Sequence, residues 1–338
     1  MNSIERVEKR LRREPVDRVP NLNIIMQFAA RHINVAYGKY CTDYRYLVEG
    51  NIKCCRDFGI DMVSAISDPY RETFGFGGNV VILEDDVPRC TDYFLKEYGD
   101  LKKLKPVDPV QSERMNDRLN AISLYKQVCG SEFPILGWVE GAFAEANDLR
   151  GMYDLMIDLH KAPEFVRELI EICLEQSILF ARQQIKEGAQ YIGIGDAAAS
   201  LVSPKIYKEM ILPAEKRLID EIHKNGARAK LHICGNTSAL LDLMAESGAD
   251  IIDIDHLVDL NKAVEKIGEK ALVCGNFDPV SILLDGDVSI IKENVRNCLV
   301  TGKDSIIISA GCEVPKFTPP GNLKAVAEAL DEYNTESA

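Results

Sequence analysis

The residues best suited to chemistry in this sequence are one histidine and two cysteines that lie far apart in the chain. His232 and Cys234 stand at the end of an apolar run, and Cys312 follows a later run beside a glycine. At a strand end, residues i and i+2 point the same way, so His232 and Cys234 can face one site together. One imidazole and two thiolates form a three-ligand set for Zn²⁺ with an open fourth position, the catalytic pattern rather than the closed structural one.

This donor set has a specific electrostatic consequence. Two thiolates neutralise Zn²⁺, so a third anionic ligand such as a substrate thiolate makes the complex net negative and keeps its sulfur nucleophilic. An enzyme that alkylates a thiol requires that chemistry. The alternative is that the histidine is a hydrogen-bonded structural residue and the cysteines are packing residues. Cys274 is a rival or auxiliary ligand, or alternatively a small residue packed near the end of its strand.

Other polar residues follow the remaining apolar runs, where the carboxyl ends of parallel barrel strands carry active sites. Asp68, Glu140 and Asp196 are candidate acid–base groups or acceptors of hydrogen bonds from a substrate. Their alternative role is to cap nearby loop amides. The pair Asp255-His256 is also a candidate for orienting a metal ligand. The candidate substrate-binding residues are Arg31, Asn236, Asp255, His256 and Asn276.

The elements that must position these residues follow from hydrophobic periodicity. Eight short apolar runs, typical of strands buried on both faces, alternate with segments of helical period. This alternation favours a (β/α)8 TIM barrel, a single domain over residues 1–338 with an N-terminal helix at 3–13, over an open doubly wound sheet. The predicted strands cover residues 21–28, 60–66, 133–139, 190–194, 227–233, 251–254, 271–274 and 305–309. The predicted helices between the later strands cover residues 163–186, 204–225, 238–247, 260–268 and 288–301.

The second and third predicted strands are too far apart for a single connecting helix. Residues 67–132 therefore form an insertion within the barrel. The segments 74–83 and 87–94 predict a β-hairpin, and residues 109–128 predict a helix.

Composition excludes several classes of function. Asp and Glu number 53 against 40 Lys and Arg, a net charge of −13, which argues against surfaces for nucleic acids or anionic membranes. The first residues lack the apolar core of a signal peptide, and no apolar run is long enough to span a membrane, which predicts a cytoplasmic protein. Ten cysteines in such a protein are not expected to form a disulfide framework.

The same residues resemble those of a known superfamily over nearly the whole chain. The lead-in at 13–20 (REPVDRVP), the segment 275–279 (GNFDP) and the segment 310–315 (AGCEVP) are similar to segments of the uroporphyrinogen decarboxylase fold family. The last of these resembles its zinc-dependent corrinoid-protein methyltransferases, which include the methylcobamide:coenzyme M methyltransferases. The resemblance implies His232, Cys234 and Cys312 as zinc ligands.

The decarboxylase branch of that superfamily is the rival interpretation. Its porphyrinogen substrate carries eight carboxylates, and the family binds them through an arginine-rich segment. The corresponding stretch here, residues 26–31 (MQFAAR), keeps only Arg31, whereas Asp68 matches the family's aspartate that contacts pyrrole nitrogens. The loss of one arginine and the presence of three zinc ligands favour the methyltransferase branch.

The resemblance thus implies a zinc-dependent enzyme that moves a methyl group between a corrinoid carried by a partner protein and a small molecule. That molecule is either a thiol acceptor such as coenzyme M or a methylated donor such as a methyl ether. The alternatives are uroporphyrinogen decarboxylation, which needs no metal, and a non-catalytic corrinoid- or tetrapyrrole-binding protein. In the last case a fourth protein ligand, such as Cys274, would close a structural metal site.

Overall fold

Short strands buried on both faces form one parallel sheet in the computed structural model, which describes residues 1–337, with side chains to residue 335. Within these residues the sheet has the order β1-β4-β5-β6-β7-β8-β9, and β2 pairs only with β3. The strands are β1 (Val63–Ser64), β2 (Asn79–Val81), β3 (Arg89–Asp92), β4 (Ile135–Glu140), β5 (Tyr191–Gly195), β6 (Arg228–Ile233), β7 (Ile251–Ile254), β8 (Leu272–Cys274) and β9 (Ile306–Ile307).

The sheet curls until its two edges meet on one stretch of backbone. Asn21 forms a parallel bridge with Ile308, and the amide of Ile308 donates to the carbonyl of Pro20 at 3.0 Å. On the other side, the amide of Asp61 donates to the carbonyl of Asn21 at 2.8 Å. Residues 20–22 therefore occupy the first position of an eight-membered barrel, which confirms the predicted fold class.

The first predicted strand, 21–28, is wrong in its second half. Only Asn21 is bridged, and residues Gln27–His32 form a helix. The amide of Gln27 donates to the side chain of Glu313 at 2.8 Å, so the backbone leaves the sheet and the side chain of Glu313 stabilises the helix start. The short segment 26–31 therefore lies on a helix rather than on a barrel strand.

Helices cover the outside of the barrel, and several begin at an Asn, Asp or Ser side chain that accepts from a free amide of the first turn. The helices are α1 (Ser3–Leu11), α2 (Gln27–His32), α3 (Tyr37–Thr42), α4 (Tyr44–Phe58), α5 (Arg71–Gly75), α6 (Glu113–Val128), α7 (Ala142–Arg150), α8 (Met152–Lys161), α9 (Pro163–Glu187), α10 (Pro204–Ile206), α11 (Leu212–Lys224), α12 (Leu241–Met244), α13 (Leu260–Ile267), α14 (Val288–Gly302) and α15 (Pro320–Ser337).

Two of the helices predicted between the later strands differ from the structure. The helix predicted over 204–225 contains a π-helical turn at Tyr207–Ile211, just before Pro213, which has no amide hydrogen to continue the regular ladder. The helix predicted over 238–247 shrinks to α12, because turns precede it. The amide of Ser238 donates to the side chain of Asn236, and the amide of Leu240 donates to the carbonyl of Thr237.

The insertion between β1 and β4 contains the predicted hairpin and helix. Strands β2 and β3 pair antiparallel, with Val81 opposite Arg89, and α6 begins at Glu113, four residues later than predicted from 109. Helix α5 lies between β1 and the hairpin. It packs against α6 and α7, so the insertion is joined to the barrel helices.

The apolar residues form two cores, one inside the barrel and one between the strands and the helices. The inner core includes Leu136 and Trp138 of β4, Ile251 of β7 and Cys274 of β8. Side chains alternate in and out along each strand, so one face of every strand points into the barrel. Within residues 1–337, no helix combines the length and the apolar character that a membrane span requires.

Candidate metal centre and active site

Strand β6 and the turn after it hold the first two members of the candidate metal site. His232 and Cys234 lie two residues apart on the same side, and Nε2 of His232 is 2.9 Å from Sγ of Cys234. Gly235 then adopts a positive φ of 87°, and its amide donates to the side chain of Asp255 at 2.9 Å. The turn after Cys234 is thereby tied to the end of the neighbouring strand β7.

Cys312 reaches the same point from the loop after β9. The amide of Gly311 donates to the carbonyl of Phe277 at 2.9 Å, and the amide of Val314 donates to the carbonyl of Ile24. A Cβ on Gly311 would lie 2.2 Å from the backbone nitrogen of His256, so only glycine allows this approach. Sγ of Cys312 consequently lies 3.8 Å from Sγ of Cys234.

The three ligand atoms all lie within 4.8 Å of one another, and theirs is the one such His, Cys or carboxylate group found among residues 1–337. Tetrahedral zinc with ordinary bond lengths separates two thiolate sulfurs by about 3.8 Å and a sulfur and an imidazole nitrogen by about 3.6 Å. The sulfur–sulfur distance of 3.8 Å matches that value, whereas the nitrogen–sulfur distance of 2.9 Å is about 0.7 Å too short, so His232 and Cys234 would have to move apart around the ion. The donor set and the separation of the two sulfurs fit a zinc ion.

Asp253, on strand β7, lies behind the histidine. Its Oδ2 is 3.4 Å from Nδ1 of His232 and also pairs with the ammonium of Lys230. Burial favours the neutral imidazole, but Asp253 and Cys312 outweigh it and raise the pKa of His232 to about 9. A carboxylate on Nδ1 directs Nε2 toward the two cysteines, the arrangement that orients a metal-binding histidine.

The two thiols differ sharply in the metal-free protein. A hydrogen bond in which either sulfur could be the donor joins Cys234 and Cys312, and this bond and the nearby His232 ring lower the pKa of Cys312 to about 4. The same hydrogen bond to Cys312, together with burial, raises the pKa of Cys234 far above its ordinary value. These shifts favour the thiolate of Cys312 beside His232, and a cation with two positive charges would favour a second thiolate at Cys234.

A cavity of about 130 Å³ opens onto these three residues. Trp138 forms part of its wall, and its ring centroid lies 6.3 Å from that of His232. Glycines at 193 and 195 leave room for the indole, since a Cβ on Gly193 would lie 2.2 Å from it. The apolar wall is formed by Ile24, Met26, Ile66, Pro69, Trp138 and Ala197.

Asp68 and Glu140, both predicted as acid–base groups, line this cavity. Arg114 donates to Asp68 at 2.5 Å, and Arg71 donates to Glu140 at 2.8 Å. Burial raises the pKa of Asp68, but Arg114 and Arg71 outweigh it and lower the pKa overall. Burial raises the pKa of Glu140 well above its ordinary value, and nearby carboxylates reinforce the shift. The cavity wall therefore contains Asp68, which favours the carboxylate form, and Glu140, which favours the protonated form.

Two other predicted site residues lie elsewhere. Asp196 does not line the cavity: it is fully buried, and its Oδ1 accepts from the amide of Ala144 at 2.8 Å. Burial raises the pKa of Asp196 to about 7. Arg31 is exposed on α2, stacks its guanidinium on the ring of Phe317 at 4.7 Å, and lines a separate surface cavity.

The remaining candidates hold the loops around the metal site. Asp255 accepts from the amides of Gly235 and Leu257, and Asn276 donates to the carbonyls of Asp255 and Val258. The ring of His256 pairs with Asp255 at 3.0 Å. Asn236 is exposed and accepts from the amide of Ser238. These contacts stabilise the turn after Cys234 and the loop after β7, against which Gly311 packs.

Cys274 lies within the inner core and outside the group of three ligands. Burial raises the pKa of its thiol well above the ordinary value, which disfavours the thiolate that a metal requires. This position agrees with the alternative that Cys274 is a packing residue at the strand end.

Sequence reasoning missed three residues of the site: Asp253, which pairs with His232, and Trp138 and Glu313 in the cavity wall. A charged residue within the apolar strand 251–254 was a visible signal for Asp253. Trp138 carried no such signal, because a buried tryptophan in a strand is ordinarily a core residue. Glu313 adjoins Cys312, but its contact with Gln27 joins residues 286 positions apart.

Comparisons with known proteins extend this description. The family model for uroporphyrinogen decarboxylase (URO-D) matches residues 2–333. The methylcobamide:CoM methyltransferase MtbA of Methanosarcina acetivorans is 29% identical over 97% of both chains. The uroporphyrinogen decarboxylase of Carboxydothermus hydrogenoformans is 25% identical over 88% of this chain and 85% of its own.

A solved structure of a methyltransferase from Methanosarcina mazei superposes with a TM-score of 0.90, covering 98% of this chain and 99% of that one, at 24% identity. At that identity the likeness shows the barrel fold. The sequence relatives show an enzyme of the transferase class, and the match over residues 2–333 confirms the resemblance drawn from the motifs. The chain belongs to the uroporphyrinogen decarboxylase (URO-D) family.

Proposed function

We propose that this protein is a zinc-dependent methyltransferase that transfers a methyl group between a corrinoid protein and a small thiol. The observation that carries the proposal is the convergence of His232, Cys234 and Cys312 within 4.8 Å at the floor of a cavity. Three protein ligands leave one tetrahedral position for a substrate. The relatives named methylcobamide:CoM methyltransferases support the same reaction class.

His232, Cys234 and Cys312 would hold the zinc ion, which, when bound, stabilises the thiolate form of a substrate thiol near neutral pH. Asp253 fixes the orientation of His232, and the turn contacts of Asp255 and Gly311 fix the two cysteines. The apolar wall around Trp138 keeps water from the substrate sulfur, which increases its nucleophilicity.

The reaction conserves atoms and electrons without a further co-reactant. The substrate sulfur forms a bond to the methyl carbon, the electron pair of the broken cobalt–carbon bond stays with cobalt, and the thiol proton passes to solvent. The opposite direction, in which a methylated small molecule donates to the corrinoid, uses the same site. Residues of this chain supply binding and orientation of the substrates.

The corrinoid protein would dock on the face where the barrel strands end. Four loops on that face carry large apolar side chains that are about half or more exposed: Leu201, Leu257, Val280 and Phe317. Each follows a different strand, respectively β5, β7, β8 and β9, so together they lie around the strand ends that carry the metal site. A partner that delivers a methyl group to this site can cover them, and their burial would contribute to docking.

Decarboxylation of a porphyrinogen is the second candidate, and Asp68 in the cavity wall favours it. A cavity of about 130 Å³ is small for a tetrapyrrole. Arg31, the remaining basic residue of the predicted carboxylate-binding segment, lines a different cavity. A structural metal site closed by Cys274 is also less well supported, because that thiol lies outside the group of three ligands.

The test is a transfer assay with free methylcobalamin and 2-mercaptoethanol as surrogate substrates. Zinc-loaded protein should convert methylcobalamin to the demethylated form, followed by its absorbance, and produce the methyl thioether, identified by mass spectrometry. Removal of zinc or the substitution Cys312→Ser should abolish this conversion, whereas Cys54→Ala, on α4 and outside the cavity lining, should preserve it. Equal rates with and without zinc would overturn the proposal.

A further inference from the structure

We propose, building on the function above, that the small substrate of this site carries no negative charge. The metal-site cavity presents three carboxyl side chains, those of Asp68, Glu140 and Glu313, in addition to the two cysteines. Among the side chains that the structure describes in its lining, none belongs to Lys or Arg. A substrate anion would therefore meet carboxyl groups and apolar walls, with no basic side chain to bind it.

The basic residues near the cavity are bound on the far side of its acidic wall. Arg114 donates to Asp68 and Arg71 donates to Glu140, so a carboxyl group of the wall binds each guanidinium. The nitrogens of these arginines that lack a partner among the described residues, Nε and Nη1 of Arg114 and Nη1 of Arg71, are themselves buried. Both arginines are buried and absent from the cavity lining. The acidic side chains thus stand between these cations and any substrate.

The other nearby cations are also engaged elsewhere. Lys230 is buried beneath the site and pairs with Asp253. Arg31 stacks on Phe317, and Lys316 lies 2.9 Å from the carboxylate of Asp85 on the surface. None of these three lines the cavity. A sulfonate or carboxylate on a bound substrate would consequently lack a charged partner.

The apolar part of the cavity wall also disfavours an anionic substrate. Ile24, Met26, Ile66, Pro69 and Trp138 would remove water from a substrate in a space of about 130 Å³. Transfer of an unpaired anion from water to such surroundings is strongly unfavourable. A small molecule with an apolar body and an uncharged or cationic end fits this wall, and an anionic thiol such as coenzyme M does not.

Three thiols of one chain length test the selection: 2-mercaptoethanol is neutral, cysteamine is cationic and coenzyme M is anionic. Binding to the zinc-loaded protein is measured by calorimetry and by the fluorescence of Trp138, the single tryptophan of the chain, which lines the cavity. We expect coenzyme M to bind about tenfold or more weakly than either other thiol, as one uncompensated charge at this site would cause.

Two variants test whether the carboxyl groups of the cavity wall cause the weaker binding of coenzyme M. Asp68→Asn leaves Arg114 without its carboxylate partner, so the affinity for coenzyme M should rise several-fold relative to that for 2-mercaptoethanol. If this buried substitution prevents folding, Glu313→Gln serves instead, since a glutamine oxygen can still accept from the amide of Gln27. Glu168→Gln, exposed on α9, is the matched control and should leave the ratio of affinities unchanged.

The outcomes separate the two proposals. Coenzyme M binding as tightly as 2-mercaptoethanol, or more tightly, overturns the charge selection while the thiol-binding function stands. A ratio that is the same in wild type, Asp68→Asn and Glu313→Gln also overturns it, because the acidic wall would then play no part. Failure of all three thiols to bind the zinc-loaded protein overturns both the selection and the proposed function.

Discussion

Gly311 offers a sharp test of how the metal site is assembled, because its backbone packs directly against the loop after β7. A Cβ at this position would stand 2.2 Å from the backbone nitrogen of His256 and 2.9 Å from the carbonyl carbon of Asp255. Ordinary contacts begin at 3.4 Å, so Gly311→Ala would force the two loops apart by up to about 1.2 Å. Cys312, the next residue, would move with its loop.

The magnitude follows from the tolerance of zinc sites. Ligand distances in such sites hold to about 0.2 Å, so a displacement near 1 Å should weaken zinc binding by at least the ~10–100-fold seen when a supporting residue is lost. Overpacking should also lower the free energy of unfolding by roughly 1–3 kcal/mol. Zinc affinity is measured by competition with a chelator, and stability by urea unfolding.

The matched control is Gly321→Ala, at a helical position in α15 with nothing within 4 Å of its Cβ. This variant should bind zinc as the wild type does and should unfold at the same or slightly higher urea concentration. Wild-type zinc affinity in Gly311→Ala would refute the argument that the close approach of the two loops sets the position of Cys312.

Three further predictions concern the proposed zinc ligands and the residues around them. Asp253→Asn should lower zinc affinity about 10–100-fold, measured by chelator competition, because His232 loses the carboxylate that orients it; an unchanged affinity would remove that role. Cys274→Ala should retain full zinc content by metal analysis, and a loss would identify Cys274 as a ligand. In zinc-free protein, the lowered pKa of Cys312 favours its thiolate at pH 6, so iodoacetamide should modify Cys312 well before Cys234; the reverse order by mass spectrometry would contradict the order of the two thiol pKa values.

The convergence of the three proposed ligands could be predicted from the sequence because each position depends on a local rule. His232 and Cys234 obey the two-residue alternation of a strand, and Cys312 follows a recognisable strand, where barrel active sites lie. The barrel itself was predictable from eight apolar runs of similar length. The closure of the barrel was harder to predict. Residues 20–22 join both edges of the sheet through backbone hydrogen bonds, and such bonds leave no pattern of side chains in the sequence.

The surroundings of the ligands depend on contacts between distant residues, which one sequence does not reveal. Asp253 and Asp255 lie two residues apart, so the alternation of a strand points both to the same side. Asp253 nevertheless pairs with His232, whereas Asp255 accepts a hydrogen bond from the turn after Cys234. Arg31 was expected to face the substrate, but α2 directs it to Phe317. The pairing of Asp68 with Arg114, across 46 residues, decides the charge of the cavity wall and has no local signal.

Metal analysis of the purified protein tests the central claim most directly, when the wild type is measured beside His232→Ala and Cys312→Ser. If these residues share one zinc ion, the wild type should contain about one equivalent and each variant should lose it after dialysis against a weak chelator. Full zinc occupancy in both variants would contradict the account, because the metal would then be bound somewhere other than between β6 and the loop after β9.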